Sequence, residues 1–275
     1  MDDFEKIKRL GEGSFGTVYE VKQKSTGLIY ALKESDKITN PKEWAEYMTE
    51  VDIMNELKES THPNIIKYYG IVHSDQVLYI LYELCQCSLH DVITASKKPL
   101  DKELINKYMK QILSGLIYIE QKDIVHSDLK PANILIDFSG NIKLGDFGSA
   151  IHIGNIKKNG TLNYQALEVL LEDEKGLIGK PNLDIWALGC IYYELLTRKE
   201  LFTGYSSTDI LFGIFKLLGT PTAELPHYKK SWPKFSPRLD DLDFKDRKIN
   251  ELLQRMLDYS PEKRITATEA LKYFE

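Results

Sequence analysis

Two short clusters in the 275-residue chain combine residue types that phosphate chemistry needs. One is His126-Ser127-Asp128-Leu129-Lys130-Pro131-Ala132-Asn133. The other is Asp146-Phe147-Gly148, which starts 18 residues after Asp128 (146 − 128 = 18). A carboxylate such as Asp128 can orient an attacking hydroxyl, and the Lys130 ammonium can reach a transferred phosphate. Asn133 and Asp146 offer hard oxygen ligands of the kind Mg²⁺ takes. An isolated Asp-Phe-Gly is ordinary turn chemistry; its weight here comes from its company.

Nearer the N-terminus, Gly11-Glu12-Gly13-Ser14-Phe15-Gly16-Thr17-Val18 has the form G-x-G-x-x-G-x-V. Glycines let backbone N–H groups approach phosphate oxygens without a Cβ in the way. Dinucleotide-binding folds use the same spacing, but there the glycines open a helix. Here they lie between two strand-like runs, which points to a hairpin over a nucleotide; alone, the pattern reads equally well as a plain turn. Lys33 ends the run Tyr30-Ala31-Leu32-Lys33, 17 residues after Gly16 and 17 before Glu50. A strand lysine is ordinarily a solvated surface residue. Glu50 follows Tyr47 by three residues and precedes Met54 by four, so it shares an apolar helix face where a lone carboxylate is costly. A Lys33–Glu50 pair would satisfy both groups and aim the ammonium at the α- and β-phosphates.

The elements that must position these groups can be read from periodicity. Residues 4–34 carry β-branched and aromatic runs such as Thr17-Val18-Tyr19-Glu20-Val21 between glycines, which predicts three short strands. Asn40-Pro41 predicts a helix start, and Trp44, Tyr47, Met48, Val51, Met54 and Leu57 recur at helical spacing. Strands are expected near 65–72 and 77–82, after His62-Pro63-Asn64. Asp101 can cap a long helix carrying Leu104, Tyr108, Ile112, Leu116 and Ile119. Short strands near 134–136 and 142–144 and a second long helix over 182–197 follow, with several shorter helices after it. A composition shift near 83–88 suggests a boundary between two lobes, and 220–246 reads as an irregular surface excursion.

Composition narrows the class. Hydrophobic residues at 43% suit a globular chain with a large core, and the length suits one or two domains. The balance of 36 basic against 41 acidic residues gives 36 − 41 = −5, with no global drive toward nucleic acid or an anionic membrane. Cys85, Cys87 and Cys190 are too few for a disulfide framework and lack zinc spacing, so free thiols in a reducing compartment are expected. The charged start Met1-Asp2-Asp3-Phe4-Glu5-Lys6 is unlike a secretory signal, and no run approaches the ~18 apolar residues of a membrane span. The expectation is an intracellular protein without nucleic-acid or membrane partners; no dense basic cluster separates nucleus from cytoplasm.

In this order and spacing the motifs resemble those of the eukaryotic protein kinases over essentially the whole chain. The resemblance implies an α+β fold: one catalytic domain over 1–275, with a β-rich N-lobe at 1–82, a hinge at 83–88 and a mostly helical C-lobe at 89–275. It implies ATP and Mg²⁺ as cofactors. Asp128, Lys130, Lys33, Glu50 and Thr161 would form the catalytic set, with Asn133 and Asp146 on the metal. Gly11, Glu12, Gly13, Ser14, Phe15, Gly16 and Thr17 would cover the phosphates. Leu10, Val18, Ala31 and Leu135 would sandwich the adenine, backbone groups of Glu83 and Cys85 would bond its edge, and Tyr82 would stand behind it. Asp184 would brace the catalytic loop, and Glu168 would pair with Arg264. A nuclear location is slightly favoured by this likeness.

Lys130 followed by Pro131 is similar to kinases whose protein substrates carry serine or threonine. Gly160-Thr161-Leu162-Asn163-Tyr164-Gln165-Ala166-Leu167-Glu168, Leu218-Gly219-Thr220-Pro221-Thr222 and Trp232-Pro233-Lys234-Phe235 resemble the cyclin-dependent kinases. That likeness implies proline-directed work in cell-cycle or transcription control, with other proline-directed kinases as the alternative. Several positions depart from the group. Thr49, Ser127 and Ile151 stand where it clusters three arginines around a phosphothreonine, and residues 150–160 contain no hydroxyl. Activation without loop phosphorylation is therefore expected. Phe15 cannot take the inhibitory tyrosine phosphate, which leaves Ser14 as a weak site. The helix near 41–58 keeps little of the cyclin-contacting signature, so an activating subunit docking there, cyclin-like or other, stays open. Gln165 for arginine and Asn163 for tryptophan leave proline direction open, and Leu167 replaces the proline of Ala-Pro-Glu.

Two other classes compete. A pseudokinase scaffold shares the fold but typically lacks one or more of Lys33, Glu50, Asp128, Lys130, Asn133 and Asp146, all of which stand here. A nucleotide-dependent dehydrogenase would need a helix directly after the glycines.

Overall fold

The computed structural model describes residues 2–13, 16–59, 61–74, 76–157, 160–171, 177–178, 180–222, 229–242 and 244–275, with positions 46, 73, 156, 157, 177, 178 and 240 described by backbone alone. Three strands open the chain: β1 (Phe4–Gly13), β2 (Gly16–Gln23) and β3 (Ile29–Glu34). Helix α1 (Pro41–Lys58) follows, then β4 (Tyr68–Ser74) and β5 (Val77–Tyr82). The five strands form one antiparallel sheet in the order β1-β2-β3-β5-β4. A strand, not a helix, follows the glycines, which removes the dehydrogenase reading.

Helix α1 starts where its cap residues demand. The Asn40 side chain accepts from the N–H groups of Lys42 and Glu43, each at 3.0 Å, and Pro41 fills the first helical position. Tyr47, Val51, Met54 and Leu57 are buried, and Glu50 is buried in the same face. The fourth strand begins later than the predicted 65–72. Ile65 instead bridges Leu144, and Ile66 N–H donates to the Leu144 carbonyl at 2.9 Å. Asn64 fixes this crossing: its side chain donates to the Ile142 carbonyl at 3.0 Å, and its own carbonyl accepts from Leu144 N–H at 2.8 Å. That apolar pair therefore ties the upper lobe to the lower one instead of extending the sheet.

The remaining elements build the lower lobe. They are β6 (Cys87–Ser88), α2 (Leu89–Ala95), α3 (Lys102–Glu120), β7 (Ile124–Val125), β8 (Ile134–Ile136), β9 (Ile142–Leu144), β10 (Ile151–His152), β11 (Ile156–Lys157), α4 (Leu167–Leu170), β12 (Leu177–Ile178), α5 (Asn182–Thr197), α6 (Ser207–Leu218), α7 (Arg247–Met256) and α8 (Ala267–Leu271). Asp101 caps α3 through Glu103 N–H at 3.0 Å. Helix α5 is buried on nearly every side, which explains its run of apolar residues without clear periodicity. A β-sheet lobe above a helical lobe is the bilobal α+β arrangement expected. The described parts of 220–246 are irregular apart from one 3₁₀ turn at Leu239–Leu242. Thr220 holds that excursion, donating to the Pro233 carbonyl at 2.6 Å and accepting from Phe235 N–H at 2.8 Å. Residues 223–228 and 243 of that segment lie outside the described residues.

Candidate active site

The upper wall of the cleft is the β1–β2 hairpin, paired up to Gly13 opposite Gly16. Gly16 sits at φ +114°, and a Cβ there would lie 2.0 Å from the Glu34 carbonyl oxygen, so only glycine fits. Gly11 and Gly13 face open space within 4 Å. Ser14 and Phe15 lie outside the described residues. Val18 pairs with Lys33 across β2 and β3, and Ala31 pairs with Tyr82 across β3 and β5. Val18, Leu135 and Cys85 are half-buried against the core that contains Ala31. Leu10 stays 41% exposed and is not gathered with them. Behind Cys85, the Glu83 carboxylate accepts from Lys67 N–H at 2.7 Å and pairs with Lys143 at 3.0 Å, which pins the segment joining the lobes.

Beneath the hairpin, Lys33 reaches the buried Glu50 carboxylate at 2.9 and 2.7 Å and Asp146 at 2.9 Å. Burial alone would push the Lys33 ammonium down, but Glu50 and Asp146 outweigh it and hold it above the usual lysine range. Burial would likewise raise Asp146, yet the Lys33 charge keeps it below the usual carboxylate value. Gly148 leaves room for this cluster: a Cβ there would stand 3.2 Å from Glu50 and 3.6 Å from Lys33. The Tyr82 hydroxyl also donates to Glu50, at 2.7 Å. Sequence reasoning placed Tyr82 in the cleft but missed this bond. The signal was available, because a buried tyrosine hydroxyl usually has a partner.

The lower wall is the loop between β7 and β8. Asp128 Oδ1 accepts from Thr161 N–H and from Thr161 Oγ1, both at 2.8 Å. Its Oδ2 accepts from Lys130 at 2.8 Å and from the Asn133 amide nitrogen at 3.1 Å. Lys130 also donates to Thr161 Oγ1 at 2.8 Å. The carboxylate is thus held in one orientation by three side chains. The Asn133 amide nitrogen is committed to Asp128, so its oxygen is the atom a cation would meet. Two oxygen donors, Asn133 and Asp146, suit a magnesium ion that completes its shell with water and phosphate. Among the described residues no group of three or more His, Cys, Asp or Glu side chains gathers as a metal site.

Asp184, from α5, supports this loop from below. It accepts from His126 N–H at 2.8 Å and Ser127 N–H at 2.9 Å. Burial pushes the Asp184 carboxyl up, against these two N–H groups and the neighbouring His126, which favour its charge. Ser127 is left-handed, at φ +65°, so the brace holds a conformation that costs roughly 1–2 kcal/mol and offsets that cost. The His126 ring meets the Gly145 carbonyl through Nε2 at 2.9 Å, coupling this loop to Asp146.

Residues 147–157 and 160–170 follow the Asp146 cluster in sequence. Glu168 pairs with the buried Arg264 at 2.7 and 3.0 Å, as expected. Gln165 donates to the Gly160 carbonyl at 2.7 Å, a contact the sequence did not reveal. At the three positions where arginines were missing, Thr49 bonds its own helix through the Ala45 carbonyl, Ile151 is buried, and the Ser127 hydroxyl is buried without a partner among the described residues. All three cysteines are free thiols, and burial pushes Cys85 up to about 12. No described helix is long and apolar enough to cross a membrane. A family model described as protein kinase domain matches residues 4–274.

Proposed function

We propose, for a chain that belongs to the protein kinase family, transfer of the ATP γ-phosphate to serine or threonine hydroxyls of other proteins. The carrying observation is the Asp128 carboxylate held by Thr161, Lys130 and Asn133, together with a Lys33 already joined to Glu50 and Asp146. Asp128 accepts the hydrogen of the incoming hydroxyl and directs its oxygen toward phosphorus. Lys130 meets the charge that develops on the moving phosphoryl group, and Lys33 fixes the phosphates behind it. Asn133 and Asp146 would hold Mg²⁺, which would supply neutralisation of phosphate charge. Val18, Ala31 and Leu135 grip the base, and Gly11, Gly13 and Gly16 let the hairpin close over the phosphates.

Serine or threonine preference is supported by Lys130-Pro131, and cyclin-dependent-like character by the three stretches in the lower lobe. Proline direction gains a physical reason. Gly160 at φ +140° gives its carbonyl to Gln165, so that oxygen is taken. In a substrate bound beside Gly160, the residue after the target hydroxyl would lack that acceptor for its N–H, which proline does not have. Activation without loop phosphorylation is supported by the uncharged Thr49, Ser127 and Ile151. The exposed face of α1 presents Lys42, Ala45, Thr49, Asp52 and Asn55, a largely polar surface. We read residues 1–275 as one catalytic domain.

The test is phosphate transfer from labelled ATP-Mg²⁺ by the purified chain, with Asp128→Asn as control and peptide pairs that differ only in a proline after the serine. Transfer that is lost in the control supports the reading. ATP binding with transfer no greater than in the control would leave a nucleotide-binding scaffold.

A further inference from the structure

We propose that Tyr82 is a positioning residue for phosphoryl transfer: its phenol, fixed in the central sheet, holds the α1 carboxylate Glu50 on Lys33 and keeps the cleft assembled without a partner on that helix. The proposal deepens the kinase reading and rests on it for its catalytic consequence.

The geometry is specific. Tyr82 pairs with Ala31 on one side and Tyr68 on the other, so its backbone is locked within three strands. Its hydroxyl donates to Glu50 Oε1 at 2.7 Å, the same oxygen that accepts from Lys33 at 2.9 Å. Glu50 is 1% exposed and Tyr82 8%, so neither group has water as a substitute partner. An outward swing of α1 must break the phenol bond along with the ion pair, and it strands a buried hydroxyl inside the sheet. The phenol stays a donor at all ordinary pH, because burial and the adjacent Glu50 charge both raise its ionisation well above the usual tyrosine range. Lys33 cannot do this work alone. It must also serve Asp146 and the phosphates, so a second donor frees the lysine to shift without releasing the helix.

Tyr82→Phe removes one oxygen and keeps the ring. The experiment compares the wild-type chain, Tyr82→Phe, Glu50→Ala and the double variant, each assayed as the lone chain. A hydrogen bond to a buried charge gives an expected loss of roughly tenfold in kcat/KM for ATP in Tyr82→Phe, with peptide KM unchanged. In the Glu50→Ala background the same change should cost less than about twofold, because the bond is already gone. Hydrogen exchange of the α1 amides, residues 41–58, should quicken by a similar factor in Tyr82→Phe whether or not the chain turns over. Wild-type activity retained in Tyr82→Phe, an equal loss in the Glu50→Ala background, or unchanged α1 exchange would overturn the proposal. If the wild-type chain transfers no phosphate but Tyr82→Phe still loosens α1, the positioning contact stands and the kinase reading alone fails.

Discussion

Arg264→Ala should be the most damaging single change outside the cleft, and its size can be worked from the contacts. The guanidinium is fully buried. It meets Glu168 through two nitrogens at 2.7 and 3.0 Å, the Asp258 carbonyl at 3.1 and 2.9 Å, and the Asn182 carbonyl at 2.8 Å. It also lies 5.1 Å from the centre of the Trp186 ring. Alanine leaves a largely buried carboxylate without its cation and removes the guanidinium bonds to the Asp258 and Asn182 carbonyls. Breaking a buried pair from one side costs about 3–5 kcal/mol. Unfolding entropy near 2.1 cal/mol/K per residue over 275 residues is roughly 0.6 kcal/mol/K, so the expected loss in Tm is about 5–9 °C. Arg264→Lys keeps the charge but not the fork, so it should fall between. The assay is thermal unfolding by calorimetry, with hydrogen exchange at 160–171 to locate the loosening. A Tm drop below about 2 °C for Arg264→Ala, or exchange that quickens elsewhere first, would refute the reasoning.

Gly16→Ala should raise the KM for ATP roughly tenfold, because a left-handed alanine and its contact with Glu34 must open the hairpin; steady-state kinetics with unchanged KM would count against the hairpin as the phosphate cover. Gln165→Ala frees the Gly160 carbonyl, so the ratio of kcat/KM between proline and alanine peptides should fall about fivefold. An unaltered ratio would remove that contact from specificity. For Asp146, the pairing with Lys33 holds the folded carboxyl below its ordinary value, so its contribution to stability is present above pH ~4 and fades below it. Denaturant unfolding of wild type and Asp146→Asn should therefore differ constantly from pH 5 to 8 and converge in acid; a gap that widened on acidification would contradict the pairing.

The parts of the fold legible in the sequence were those where one local signal sufficed. Asn40-Pro41 and Asp101 carry their caps in their own side chains, so the starts of α1 and α3 could be read directly. Lys33–Glu50 was legible because a carboxylate on an apolar helix face demands a cation. The start of β4 was not, because Ile65 and Ile66 have ordinary strand composition and their use against Leu144 is decided by Asn64 reaching Ile142, 78 residues away in sequence. The same holds for Tyr82 and Gln165. Each reaches a partner that no periodicity names: Glu50 is 32 residues back, and the Gly160 carbonyl is backbone, which carries no residue signature at all.

A kinase that dispenses with a phosphate on its activation segment must hold that segment by bonds present from the moment of folding. Ile151 and His152 pair with Val125 and Ile124, and Ile153 N–H donates to the Asp123 carbonyl at 2.7 Å, which ties the segment's start to the catalytic loop. Ile156 and Lys157 pair with Ile178 and Leu177, tying its middle to the stretch before α5. Thr161 on Asp128, Gln165 on Gly160 and Glu168 on Arg264 secure its end. Backbone pairing and neutral side-chain contacts supply most of these anchors. With them in place, an arginine at 49, 127 or 151 would have no phosphate to bind, and in the buried setting of Ile151 its charge would lack a partner. On the proposed activation without loop phosphorylation, a variant that places an arginine alone at one of these positions, such as Ser127→Arg, should lose stability and gain no activity.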